Sequence, residues 1–139
     1  MTLRTLFVAA LGAAAIVAPA NAAGARSVGT PEQIAWVRHA AERFVSAELS
    51  VDGAEACAVL NAPMRAVIHG TSCERRWNSR IRRMLRRPGA RAELRHELRA
   101  IPRSRVVVHG TLATITLPEP LISGPNRLRW TENCWMLEG

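Results

Sequence analysis

Apolar positions recur at helical spacing through most of the chain and at strand spacing near its end. Ile34, Val37, Ala41, Phe44, Val45 and Leu49 share one stripe, which predicts a helix over 31–49 with one face on a core. Thr30 stands as its N-cap, Pro31 takes the first helical position, and Gln33 is placed to close a capping box. Trp36 falls on the opposite side, to cover a neighbouring element or stand partly exposed. Asp52-Gly53-Ala54-Glu55 repeats the capping pattern with aspartate as the cap, and a short helix to about Leu60 follows. Asn61 and Pro63 punctuate it, and 63–69 reads as another helical piece ending at Gly70.

Ser72 opens the strongest pattern in the chain. Cys73, Trp77, Ile81, Met84 and Leu85 fall within about 120° of arc at roughly 100° per residue. Arg75, Arg76, Arg80, Arg82, Arg83, Arg86 and Arg87 take the opposite arc, and Pro88-Gly89 ends this amphipathic helix. A further helix over 90–100 turns Leu94, Leu98 and Ile101 inward, and Pro102 closes it. The period then changes. Residues 105–109 and 111–117 are rich in β-branched side chains and flank Gly110, which predicts a hairpin. Residues 127–131 alternate Leu128 and Trp130 against Arg127 and Arg129. Glu132-Asn133 is turn chemistry, and 134–137 is a return strand. Helices first and an antiparallel meander last is an α+β order.

The first segment follows neither pattern. Arg4 precedes an apolar run from Leu6 to Ala18, and Pro19-Ala20-Asn21-Ala22 follows it. A run of about 13 residues suits a signal-peptide core and falls short of the roughly 20 needed to span a bilayer. Residues 1–22 are therefore expected to be a signal peptide cleaved after Ala22, with Ala23 as the alternative site and an uncleaved N-terminal anchor as the other reading. Residues 23–29 are expected to be a flexible leader, and 30–139 a single domain. The product is expected outside the cytoplasm, with no transmembrane segment, where disulfides persist.

Composition narrows the chemistry. All 19 basic residues are arginine, tyrosine is absent, and Asp52 is the only aspartate in 139 residues. Schiff-base lysine chemistry, an aspartic dyad and a phenolic acid are thereby excluded. The charge is local: residues 75–105 carry twelve arginines against Glu93 and Glu97, while the rest of the exported chain is net acidic. Part of this enrichment fits the codon bias of a GC-rich genome. Arg75, Arg76, Arg80, Arg83 and Arg87 are nonetheless expected to form an exposed, anion-attracting surface. Specific nucleic-acid recognition is not expected, given export and no evident aromatic stacking platform.

Three cysteines allow three single pairings. Cys57–Cys73 is the favoured one, because each lies on or beside an apolar helix face of an exported chain. Cys134 is left over, as a half-buried turn residue or an exposed thiol. His39, His69, His96 and His109 have no metal-ligand spacing, and neither metal nor cofactor is expected. Glu48 falls within the apolar stripe of the first helix. The preferred expectation is a last-turn residue reaching solvent; an inward carboxylate acting as a base makes it a weak catalytic candidate.

The order of elements resembles the nuclear transport factor 2-like (SnoaL-like) superfamily, specifically its small secreted actinobacterial members. The residues that carry the resemblance are Asp52 through Leu60, Cys73 opening the next long helix, Val108-His109-Gly110-Thr111-Leu112-Ala113-Thr114-Ile115, and Asn133-Cys134-Trp135-Met136-Leu137. It spans 30–139, and it departs from the usual pattern at Cys134, where glycine would suit the closing turn. The resemblance implies a curved antiparallel sheet wrapped around helices into a cone, often with an apolar pocket. Isomerases and polyketide cyclases of that superfamily use the pocket with an acidic base. These residues are fold signatures and contain no catalytic motif. The expected function is a secreted or envelope-associated noncatalytic binding protein that contacts anionic envelope components or a small apolar ligand. The alternative is a small pocket enzyme of the isomerase or cyclase type.

Overall fold

The computed structural model describes residues 26–62, 65, 72–118, 126–131 and 134–138. The expected signal peptide, most of the helical piece over 63–69 and the Glu132-Asn133 turn lie outside the described residues.

Thr30 begins the helical layer. Its hydroxyl accepts from the Gln33 backbone N–H at 3.1 Å, and the Gln33 side-chain oxygen accepts from the Thr30 N–H at 2.9 Å. Both halves of the capping box are made, and α1 runs Pro31–Ser50. Its last turn holds no basic residue. Arg91, from a later helix, supplies the cation by donating to the Leu49 carbonyl at 3.1 Å.

Asp52 caps α2, Gly53–Ala58, by accepting from the Glu55 N–H at 3.0 Å. The second half of this expected box is replaced, because the Glu55 carboxylate pairs with Arg43 instead. α3 spans Cys73–Leu85 and α4 spans Ala90–Ala100, followed by a 3-10 turn at Ile101–Arg103. Cys57 and Cys73 form a disulfide with Cα atoms 6.2 Å apart, pinning α2 to the first turn of α3. Gly53 sits at the crossing of these helices. Its N–H donates to Asn78 Oδ1 at 2.8 Å, and a Cβ there would collide with the Glu74 carbonyl oxygen and the Asn78 side chain.

β1 (Arg105–His109), β2 (Leu112–Thr116), β3 (Arg127–Thr131) and β4 (Cys134–Glu138) form an antiparallel meander in sequence order. Gly110, with φ of 57°, makes the first turn. The register aligns Val106 with Ile115, then Val108, Ala113, Leu128 and Leu137 in one row, then Trp130 with Trp135. These rows meet Val37, Ala41, Phe44 and Val45 of α1 in the core, with Trp77 and Ile81 of α3, Leu94 of α4 and Ile101 joining from the helical side. The Phe44 and Trp77 rings lie 5.6 Å apart and tilted by 59°. Thr114, Thr116 and Arg127 alternate outward into solvent, as a half-buried sheet requires.

The architecture is therefore α+β: four helices on a four-stranded antiparallel sheet that is not closed among the described residues. Each outer strand carries one isolated parallel bridge, Val28 to Val107 on β1 and Leu60 to Leu137 on β4. Residues 26–29, expected as the end of a flexible leader, are thus held against the sheet. Val28 exchanges backbone hydrogen bonds of 2.8 Å with Val106 and Val108, and Ser27 Oγ accepts from the Val106 N–H at 3.0 Å. No described helix is long and apolar enough to cross a membrane.

Candidate functional site

Two surfaces gather chemistry. The first is the outer face of α3. Arg75, Asn78, Ser79, Arg82, Arg83 and Arg86 follow one another at helical spacing and line a groove of about 390 Å³. All five arginines singled out from the sequence are exposed; Arg75 and Arg83 line this groove, and Arg76 does not. Arg80 instead covers the Trp77 ring at 5.2 Å, and Arg87 pairs with Glu93. Arg82 and Arg86 line the groove as well. The difference arises because a helix arc fixes direction only, whereas Trp77 and Glu93 capture the cations within reach. Glu97, an acid of the same span, is 3% exposed and faces inward from α4.

The second surface was not visible in the sequence. Trp36 on α1 lies parallel to Trp130 on β3, with centroids 5.4 Å apart and planes 6° from parallel. Trp130 meets Trp135, its cross-strand partner on β4, edge to face at 5.5 Å. The three indoles run from solvent to core: Trp36 is 47% exposed, Trp130 is half-buried, and Trp135 is 5% exposed. Both spacings are those of favourable displaced or T-shaped ring pairs. Leaving Trp36 half in water forgoes on the order of 1 kcal/mol of apolar burial. The sequence shows no evident stacking platform; the fold brings these two indoles face to face. Trp36 and Trp130 are 94 positions apart, and the packing of α1 on the sheet alone brings them together.

His39, Ala40, Arg43 and Cys134 complete, with the three tryptophans, a groove of about 200 Å³. Trp36, His39, Ala40 and Arg43 share one side of α1 by their i, i+3, i+4 and i+7 spacing. Arg43 Nε donates to Glu55 Oε1 at 2.6 Å across the α1–α2 corner. That hydrogen bond holds the guanidinium above its ordinary pKa and the Glu55 carboxyl below the usual carboxylate range; partial burial opposes both shifts. Cys134 is half-buried, and its thiol donates to the Thr131 carbonyl at 3.4 Å.

Glu48 is 1% exposed, so the expectation that it reaches solvent is corrected: the apolar stripe of α1 carries its carboxylate into the interior. His39 and His109 are exposed, and His69 lies outside the described residues. No group of three or more metal-ligating side chains occurs among the described residues. Neither a family model, nor a curated protein, nor a solved structure matches this chain.

Proposed function

We propose that the protein is an extracytoplasmic, noncatalytic binding protein that docks on phosphate-bearing components of the cell envelope through α3. The observation that carries this reading is the stripe of Arg75, Arg82, Arg83 and Arg86, exposed along one groove with the polar side chains of Asn78 and Ser79 between them. Guanidinium groups in such a row donate paired hydrogen bonds to phosphate oxygens and attract them by charge. The Cys57–Cys73 bridge supports a location where thiols are oxidised. The helix-first, meander-last order supports the likeness to the nuclear transport factor 2-like superfamily.

The test is co-sedimentation with vesicles of acidic phospholipid and of zwitterionic phospholipid. Binding is expected to the acidic vesicles alone, and to weaken steeply with salt. Changing Arg75, Arg82 and Arg83 together to Gln is expected to weaken binding about a hundredfold, at about 1 kcal/mol per cation at the surface. Equal binding to both vesicle types, or affinity indifferent to salt, overturns the reading.

The buried carboxylate of Glu48 favours a second reading, a pocket enzyme of the isomerase or cyclase type. On that reading Glu48→Gln abolishes turnover of an enolisable ketone and leaves the fold intact. On the first it affects stability alone.

A further inference from the structure

We infer that the tryptophan groove is a second binding site, separate from the arginine stripe, and that it takes the neutral pyranose ring of a saccharide. Its floor and rim select this chemistry. Trp36 keeps 47% of its surface in water while its ring is fixed parallel to Trp130. A flat indole held still by a stacked partner is a ready platform, because little side-chain freedom remains to be lost on binding. The face of an indole is electron-rich, and the axial C–H bonds of a pyranose present a weakly positive, apolar face to it.

The rim excludes the competing ligand classes. Arg43 is the cation nearest the tryptophans in the groove, and its charge is already matched by Glu55 at 2.6 Å. An anion there would find the charge already neutralised and would be repelled by the neighbouring carboxylate. The pair instead offers a guanidinium with N–H groups to spare and a carboxylate with lone pairs to spare, both about 40% exposed. Adjacent hydroxyl groups, each donor and acceptor, accept from the guanidinium of Arg43, the member of the pair that lines the groove. His39 adds an exposed imidazole one helical turn away from Arg43. A purely apolar ligand would strip water from these groups without replacing its hydrogen bonds. The groove, of about 200 Å³, has room for a single ring. Contact over one ring corresponds to a dissociation constant of about 1 mM.

The experiment titrates the unaltered protein with methyl β-glucoside and follows tryptophan fluorescence. Glucuronate, an acyclic polyol and benzyl alcohol are the comparisons. Saturable quenching by the glucoside is expected, stronger than by any of the three, and unchanged between low and high salt. A second readout uses Cys134, which lines the same groove. Saturating glucoside is expected to slow its alkylation severalfold. Trp36→Ala is expected to weaken binding at least tenfold, and Trp36→Phe less, because a ring remains. The variant with Arg75, Arg82 and Arg83 changed to Gln is expected to bind the glucoside normally, so loss of vesicle binding and loss of sugar binding are read apart. Absence of saturable quenching, stronger binding of benzyl alcohol, or full affinity in Trp36→Ala each overturns the proposal. If Trp36→Ala does not fold, protection of Cys134 in the unaltered protein decides.

Discussion

Glu48 and Glu55 show how one residue type does different work seven positions apart. Glu48 is shut in the interior with its interactions made there. Removing a buried polar group leaves whatever it contacts unsatisfied. Glu48→Ala is therefore expected to cost about 1–3 kcal/mol, read by urea denaturation. An unchanged midpoint would show that the carboxylate is dispensable to the fold. Glu55 is half in water and shares its charge with Arg43. Its folded pKa lies below the ordinary 4.5, so the stability it lends is complete above that value and is lost as pH falls through the folded pKa. Screening by solvent keeps this contribution below about 1 kcal/mol. Melting curves across the acid range are expected to show the loss in the parent protein and not in Glu55→Gln. Parallel acid profiles for the two proteins would place the dependence elsewhere.

The α2–α3 corner is fastened at the level of elements by one covalent bond and one missing side chain. Reducing Cys57–Cys73, or changing both to Ala, is expected to cost about 3 kcal/mol by loop-closure entropy. A shift of that size lowers the melting temperature by on the order of 10 °C or more. Gly53→Ala pushes a methyl group into the Glu74 carbonyl, and is expected to cost about 1–3 kcal/mol in thermal unfolding with the disulfide intact. These elements were largely legible in the sequence because their causes are local. Thr30 and Gln33 announce the start of α1, and the arc from Cys73 to Leu85 announces α3. The β-branched runs about Gly110 announce the first hairpin. The same patterns left the sites half-read. Periodicity places Glu48 in the apolar stripe, but the last turn of a helix offers a route to solvent that only packing closes. Nothing local says that Trp36 meets Trp130, whereas the i, i+3 spacing of Trp77 and Arg80 does put that pair on one helix face. The meeting of the two indoles depends on how α1 crosses the sheet.

The two proposed sites differ in the physics of the contact each would make. Attraction at the arginine stripe acts over about a Debye length and fades in salt, whereas a stacked ring in the tryptophan groove acts only on contact and ignores salt. A molecule using both is expected to dock first by charge and then to discriminate by ring. In binding kinetics, salt should slow vesicle association and leave glucoside association unchanged. The short parallel bridges at Val28 and Leu60 have another consequence, for what the protein avoids. An uncovered outer strand offers its free N–H and C=O groups to any other extended chain, including a second copy of itself. Val28 occupies two of those groups on β1 through its bonds to Val106 and Val108. Removal of residues 1–29 is therefore expected to leave the core folded but to open β1 to its own kind. Light scattering on concentrated samples should find self-association in the shortened chain and none in the chain that keeps Val28. By this account, the few residues just ahead of α1 act as a guard against strand-to-strand polymerisation.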